Sequence, residues 1–278
     1  MDILATPGEM RAWRRARGGT AGFVPTMGYL HDGHLSLARR AKAENDLTVV
    51  SIFVNPTQFA PGEDFERYPR NEDGDLALLR GSGIDAVYLP SPATIYPPGY
   101  QTYVTVEEVT RPLEGASRPG HFRGVATVVI KLFNAVEPTR AYFGRKDAQQ
   151  LRVLQRMARD LDLPVVIVPC DIVREADGLA MSSRNVYLTP GQRETAPVLY
   201  RALCLARQRF AAGERGADVL RQAVRHVIET AGGSEIEYIS LADDESLAEL
   251  HGGVAEPALL SLVVRFGHTR LLDNLELR

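Results

Sequence analysis

Cysteine is scarce in this chain of 278 residues: only Cys170 and Cys204 occur, in unlike contexts, with no C-x-x-C pair and no zinc-ligand spacing. That count excludes a disulfide-stapled secreted scaffold and a cysteine-held zinc module, and two isolated thiols, read as buried, suit a reducing compartment. No stretch approaches the run of about 18 apolar residues that a membrane-spanning helix needs. The N-terminal segment sets Arg11, Arg14, Arg15 and Arg17 beside Asp2 and Glu9, without the continuous apolar core of a secretion signal. The expectation is therefore a cytoplasmic protein with no membrane partner. An excess of one charge is lacking too. A formal net charge of -3 argues against a nucleic-acid partner held by bulk positive potential and leaves room for a locally basic pocket. No internal repeat or low-complexity segment interrupts a composition of 45% hydrophobic and 24% charged residues, which is that of an ordinary globular chain.

Four sequence signatures of nucleotide binding or nucleophilic catalysis are also missing. Neither the G-x-x-x-x-G-K-[ST] loop nor the G-x-G-x-x-G turn occurs, which weakens a P-loop NTPase and a dinucleotide-dependent dehydrogenase. There is no G-x-S-x-G elbow and no Ser-His-Asp order, so no nucleophile announces itself.

What is present begins with Pro25-Thr26-Met27-Gly28-Tyr29-Leu30-His31-Asp32-Gly33-His34-Leu35-Ser36-Leu37. The apolar run Ala21 to Val24 predicts a strand leading into it, and Leu35, Leu37, Ala38 and Ala41 predict a helix leading out. His31 and His34 share one side of that helix start, where free N–H groups and the helix dipole favour an anion such as phosphate. Two other readings compete. A histidine pair can ligate zinc, although no third ligand stands at metal-site spacing nearby. Histidines can also simply cap a helix.

The same arrangement of strand followed by polar turn recurs. Leu47 to Val54 predicts a central parallel strand, followed by Asn55-Pro56-Thr57-Gln58-Phe59. Gln58 and Asn55 are site candidates there, and plain turn chemistry explains them equally well. A polar loop over residues 60–72, a helix over 73–82 and a strand over 85–89 come next. Residues 90–122 are rich in Pro, Gly and Tyr, with one short strand expected at Tyr103 to Val106. A helix over 125–136 leads into a strand at Arg140 to Phe143, and Gly144-Arg145-Lys146-Asp147-Ala148-Gln149-Gln150 opens a further helix. Lys146 can reach a phosphate as a mobile charge, and Asp147 in isolation reads as an N-cap.

Pro164 to Pro169 predicts the last parallel strand, completing an α/β, doubly wound, Rossmann-like sheet. The composition then changes to Val173-Arg174-Glu175-Ala176-Asp177-Gly178-Leu179-Ala180-Met181-Ser182-Ser183-Arg184-Asn185, a segment with little periodicity that reads as a functional loop. The domain boundary is placed there: 1–172 as the Rossmann-like domain and 173–278 as a smaller C-terminal α+β domain. The latter should hold helices over 192–212 and 216–231 and strands over 235–241, 258–266 and 269–273, the last two joined tightly through Gly267-His268.

Taken together, P-T-M-G-x-x-H-D-G-H at 25–34, F-V-N-P-T-Q-F at 53–59, Y-F-G-R-K-D-x-x-Q at 142–150 and R-E-A-D-G-L-A-M-S-S-R-N at 174–185 closely resemble the pantothenate synthetases, the pantoate–β-alanine ligases. The H-x-G-H motif alone is shared by many nucleotidyltransferases and class I aminoacyl-tRNA synthetases; four motifs in order are far more specific. The resemblance implies an ATP-dependent ligase that joins (R)-pantoate to β-alanine through a pantoyl adenylate, with Mg²⁺ accompanying ATP, metal ligands unassigned, and a homodimer as the assembly.

The resemblance also assigns roles residue by residue. Met27, Gly28, Tyr29, Leu30, His31, Asp32, Gly33 and His34 form the ATP-binding turn, with His31 and His34 stabilising charge on the phosphates and His34 the proton donor. Gly144, Arg145, Lys146, Asp147, Val173, Met181, Ser182, Ser183 and Arg184 contact ATP, with Lys146, Ser182, Ser183 and Arg184 on its phosphates. Gln58 and Gln150 hold pantoate. Asn55, Tyr68, Arg118 and His121 line the pocket or its lid, and the Met181 to Arg184 segment corresponds to the mobile K-M-S-K-S loop of the wider superfamily. Position 145 departs from the pattern, since Glu or Gln is frequent there; Arg145 is expected to point to solvent. Two other functions compete: transfer of adenylate to a phosphate or nucleotide acceptor, and a nucleotide sensor that keeps only the fold.

Overall fold

Short apolar runs that bury both their faces need helices above and below, and the structure meets that need with crossover helices. In the computed structural model, which describes residues 1–254 and 257–278, the chain divides into two compact units, 1–145 with 150–171 and 146–149 with 172–278.

The first unit carries β1 (Asp2–Leu4), α1 (Pro7–Arg15), β2 (Ala21–Thr26), α2 (Asp32–Glu44), β3 (Leu47–Ile52), α3 (Glu72–Gly81), β4 (Ala86–Tyr88), α4 (Pro92–Ile95), α5 (Glu114–Ser117), α6 (His121–Val136), β5 (Arg140–Gly144), most of α7 (Ala148–Asp160) and β6 (Val166–Cys170). Its strands lie in the order β1-β4-β3-β2-β5-β6, every pair parallel. From β2 the chain moves outward through β3 and β4, then returns to the other side of β2 with β5 and β6. The order therefore reverses between β2 and β5, and the crevice outside the carboxyl ends at such a switch point is where open α/β sheets take ligands.

Alternation along β2 divides the core. Phe23 faces α6, meeting Phe133 edge-on at 6.3 Å between ring centroids, and Phe133 in turn meets Phe143 of β5 at 6.5 Å. Val24 faces the other side, packing with Val50, Val87, Tyr142 and Val168 against Leu37, Ala38 and Ala41 of α2 and Leu76 and Leu79 of α3.

The second unit holds α8 (Pro190–Thr195), α9 (Val198–Ala211), α10 (Ala217–Ala231), β7 (Glu235–Asp243), β8 (Ala258–Phe266) and β9 (Thr269–Leu277). Its three strands are antiparallel in the order β7-β8-β9, with β8 and β9 turning through Gly267-His268. Leu199, Leu203 and Phe210 of α9 and Leu220 and Val224 of α10 close one core with Leu260, Leu262, Val264 and Leu271. The α/β sheet with a smaller C-terminal α+β unit is the architecture that the sequence pattern predicts.

Several local expectations change. Tyr103 to Val106 forms no strand, because the Val104 N–H goes to Thr127 Oγ1 of α6 at 2.9 Å instead of to a sheet neighbour. Asp2–Leu4, not anticipated, pairs as an edge strand with β4. The helix expected over 192–212 breaks between α8 and α9, at Ala196-Pro197, where proline has no N–H to continue the ladder. Cys170 is buried, as expected, whereas Cys204 is only partly so.

Phe133 links the rings of β2 and β5. Phe133→Ala is expected to cost the first unit about 3–5 kcal/mol, read as a lower midpoint in urea unfolding with an unchanged m-value.

Candidate functional site

The carboxyl end of β2 enters α2 through five residues, Met27 to His31, four of whose amides donate to side chains. The Gly28 N–H donates to Thr26 Oγ1 at 3.2 Å, and those of Tyr29 and Leu30 donate to the two carboxylate oxygens of Asp75, each at 2.7 Å. Gly28, at φ 81°, and then Tyr29, at φ 52°, carry the chain through the left-handed region. A Cβ on Gly28 would lie 3.0 Å from Asp75 Oδ2 and 3.0 Å from Ile52 Cγ2, so glycine lets the turn sit down on its acid.

The histidines then close a reciprocal cap. His31 is the N-cap of α2, its Nδ1 accepting from the Gly33 N–H at 3.2 Å, while His34 Nδ1 accepts from the His31 N–H at 3.4 Å. Their rings lie with centroids 4.1 Å apart, tilted by 37°. The capping reading is thus correct locally, and it has a chemical consequence. An Nδ1 that accepts carries no proton, so each neutral ring holds its proton on Nε2. Two imidazole N–H donors with set tautomers stand at the positive end of a 13-residue helix, a suitable environment for phosphate.

The carboxyl end of β3 leads to a second polar centre. Asn55 is buried and caps the 3-10 turn Pro56–Gln58. Its Nδ2 donates to Gln58 Oε1 at 3.0 Å and to the Gly124 carbonyl at 3.1 Å, and its Oδ1 accepts from Tyr96 Oη at 2.8 Å. With Oε1 occupied, the Gln58 amide turns its Nε2 toward Met27 Sδ, 3.2 Å away. Met27 and Gln58, distant in sequence, therefore meet. Gly124 allows this, since a Cβ there would lie 2.3 Å from the Thr57 carbonyl oxygen and 2.8 Å from the Gln58 nitrogen.

Arg118 and His121 act behind Gln58. His121 Nδ1–H donates to the Gln58 carbonyl at 2.8 Å, and Arg118 donates to the same oxygen at 3.2 Å, to His121 Nε2 at 3.3 Å and to both oxygens of Glu63 at 2.7 Å. Burial and the neighbouring Arg118 charge push His121 down to about 4. It is a neutral brace for the Gln58 turn. Tyr68 is buried against Phe59 at 5.9 Å.

At the carboxyl end of β5, Gly144 lies opposite Cys170 of β6. That register puts residue 145 beside residue 171, and Arg145 Nε lies 3.6 Å from Asp171 Oδ1. Arg145 is therefore paired, with an acid whose side chain is fully exposed to solvent. Lys146 and Asp147 complete a 3-10 turn, Arg145–Asp147, and Gln150 lies in the first turn of α7.

In the second unit, residues 173–181 form a hairpin. Arg174 bridges Ala180, and the Met181 N–H donates to the Val173 carbonyl at 3.0 Å, so those two candidates are adjacent. Ser182 caps the 3-10 turn Ser183–Tyr187, its Oγ accepting from the Arg184 N–H at 3.3 Å. Arg193 ties down the hairpin through Glu175 and Asp177. Among the described residues, no three His, Cys, Asp or Glu side chains group as metal ligands, and no helix is long and apolar enough to cross a membrane.

The sequence profile described as pantoate-beta-alanine ligase matches residues 2–276. The chain belongs to that ligase family. It is 60% identical over 274 residues to a pantothenate synthetase of Roseiflexus castenholzii, covering 99% of this chain and 98% of that one, and 53% identical over 277 residues to one of Gluconobacter oxydans, covering both in full. Among solved structures, a pantothenate synthetase from Thermus thermophilus superposes with a TM-score of 0.95 at 48% identity, covering 100% of this chain and 99% of that one. A Francisella tularensis pantoate-beta-alanine ligase, complexed with beta-gamma ATP and beta-alanine, gives 0.81 at 32% identity, covering 99% and 97%.

Asp75 has no counterpart in the reading of this ligase's sequence. It stands among Glu72, Asp73 and Asp75 in the first turn of α3, where acids are commonplace, and only its two amide partners set it apart. Burial pushes its carboxyl above the usual carboxylate range, against the pull of those donors. Asp75→Ala would orphan both amides, and a loss of about 1–3 kcal/mol is expected. Amide exchange at Tyr29 and Leu30 should accelerate by about tenfold or more, measured by hydrogen–deuterium exchange.

His121 supplies a pH test. Its folded value lies below the ordinary 6.5, so its contribution is full above about pH 6.5 and is lost as pH falls toward 4. Unfolding free energy should drop by up to about 3 kcal/mol across that window, and His121→Gln should flatten the slope in urea titrations run at successive pH values.

Proposed function

We propose that His31 and His34 form the phosphate-activating centre of an ATP-dependent ligase that condenses (R)-pantoate with β-alanine. The observation that carries the reading is the reciprocal histidine cap on α2, in a chain matched from residue 2 to residue 276 by the pantoate-beta-alanine ligase profile. In the first step a pantoate carboxylate oxygen attacks the α-phosphorus of ATP, and the bond to pyrophosphate breaks, giving pantoyl adenylate. Negative charge grows on the phosphate oxygens as it does so. The Nε2–H donors of His31 and His34 and the α2 N-terminus meet that charge without reorganising, because the caps hold both rings beforehand. His34 keeps its proton and donates its Nε2–H hydrogen bond to the oxygens of the departing pyrophosphate, which leaves with the bonding electron pair. In the second step the β-alanine amine attacks the acyl carbon, AMP leaves, and the amine gives up a proton as the amide forms.

The remaining roles follow the chemistry of each side chain. Gln58 offers its Nε2–H, the end that Asn55 does not take, to an oxygen of pantoate, and Gln150 is its partner in holding that substrate. Met27, Gly28, Tyr29, Leu30, Asp32 and Gly33 provide the backbone of the nucleotide turn. Gly144, Arg145, Lys146, Asp147, Val173, Met181, Ser182, Ser183 and Arg184 bind ATP, the cations and hydroxyls on its phosphates, and Met181 to Arg184 order when it binds. Mg²⁺ enters with the nucleotide as its phosphate complex, since the cationic and amide donors of these segments suit phosphate oxygens and not a metal. Free cysteines suit work in the cytoplasm, and a homodimer is the assembly that the resemblance implies.

Supplied with ATP, Mg²⁺, pantoate and β-alanine, the folded enzyme should release AMP and pyrophosphate in step with amide formation; their absence would overturn the reading. His34→Ala should slow single-turnover adenylate formation about a hundredfold or more with the circular dichroism spectrum unchanged. Adenylate formation at the normal rate would remove His34 from the mechanism.

A further inference from the structure

Asp273 and Asn274 are adjacent and both buried on β9, a strand whose other buried positions are Thr269, Leu271 and Leu277. Polar side chains in such a place are costly unless satisfied, and these two are satisfied by segments far away in sequence. Asp273 receives the Arg174 fork on both oxygens, at 2.6 and 2.9 Å, and Oδ1 also accepts the Asn274 N–H at 2.8 Å. Arg174 donates as well to the Gly178 carbonyl at 3.1 Å and lies 3.7 Å from the centre of the Tyr200 ring. It is thereby fixed at the base of the hairpin that leads to Met181. Asn274 turns the other way: its Nδ2 donates to the backbone carbonyl of Lys146 at 2.6 Å.

We infer that Asp273 and Asn274 are positioning residues that align two nucleotide-binding segments, Asn274 through the backbone of Lys146 and Asp273 through Arg174 and the hairpin carrying Met181 to Arg184. This rests on the reading of Lys146 and Met181 to Arg184 as ATP-binding residues. The physical argument is one of leverage. A lysine ammonium ends a flexible stem, so its mean position follows the backbone from which it starts, and a short hydrogen bond to that residue's own carbonyl restrains the starting point. The Asp273 pair does the same for the hairpin, since a bidentate fork fixes direction as well as distance. Neither residue needs to touch the nucleotide.

Asn274→Asp keeps the shape and replaces the donor with an acceptor facing the Lys146 carbonyl. It should raise the KM for ATP about tenfold and leave the KM for β-alanine within about twofold, while the buried, unpaired carboxylate also lowers the melting temperature. Asn274→Ala, which adds no charge, should move the same constant in the same direction. Asp273→Asn should also raise the KM for ATP, by weakening the hold on Arg174. A double-mutant cycle separates positioning from mere support: combined with Lys146→Ala, Asn274→Asp should add little, because its effect passes through Lys146. Fully multiplicative losses, equal changes in every KM, or collapse of the fold in both Asn274 variants would overturn the inference. Lys146→Ala with an unchanged KM and kcat would instead sink the role given to Lys146, a distinguishable failure.

Discussion

A chain that leaves the carboxyl end of a buried strand and starts a helix within six residues exposes a run of amides that the sheet no longer satisfies, and each needs an acceptor. At the end of β2 those acceptors are Thr26, Asp75, His34 and His31, taken in order by the amides of Gly28, Tyr29, Leu30, His31 and Gly33. Folding and chemistry draw on the same bonds. The two imidazoles satisfy backbone N–H groups with Nδ1, and by doing so fix their tautomers; the acid that holds the preceding turn comes from α3, which packs on the same face of the sheet as α2.

The Gln58 centre obeys the same rule with different groups. Here a side-chain amide must present one particular end, and its carbonyl oxygen is occupied by Asn55, which is itself held by Tyr96 and the Gly124 carbonyl. The main-chain carbonyl of Gln58 is held by a neutral histidine and an arginine. Neutrality matters. A charged His121 would direct a second ring N–H at the Arg118 guanidinium that now donates to it, so the brace works only while burial keeps that proton off. Glu63 then balances Arg118 from the polar loop, and although burial alone would raise its carboxyl, the Arg118 hydrogen bonds and charge carry it below the usual range.

How much of this was legible in the sequence depended on whether the signal was local. The strand and helix flanking Pro25 to Leu37 follow from apolar spacing, and the His31 and His34 turn follows from residue types within four positions. Helix capping, which the sequence sets against an anion site, leaves both Nε2–H groups for one in the structure. Asp75 was not legible, because its partners lie 45 and 46 residues earlier and its own neighbourhood is an ordinary acidic helix start. Asn274 escaped for the same reason: its partner lies 128 residues earlier. The pairing of Arg145 with Asp171 depends on the register of β5 against β6, which no window of sequence contains. The strand expected at Tyr103 to Val106 has the right residue types, but Thr127 on α6 took the amide that a sheet would have used.

The choice of cation bears on how these segments are held. Lysine occurs three times in this chain, at 42, 131 and 146, and arginine supplies the other positive charges. Where a cation must be held in a fixed direction the structure uses the arginine fork, as in Arg174 on Asp273, Arg118 on Glu63 and Arg270 on Glu237. Lys42 and Lys131 need only reach: Lys42 Nζ meets the Gly83 carbonyl, and Lys131 Nζ lies 4.4 Å from the centre of the Tyr100 ring. A lysine at 146 trades the fork's built-in direction for a compact charge on a flexible stem, the property that the proposed contact with phosphate uses. The cost of that freedom is positional, and the bond from Asn274 to the Lys146 carbonyl bears it in the backbone, where restraint does not hinder the ammonium.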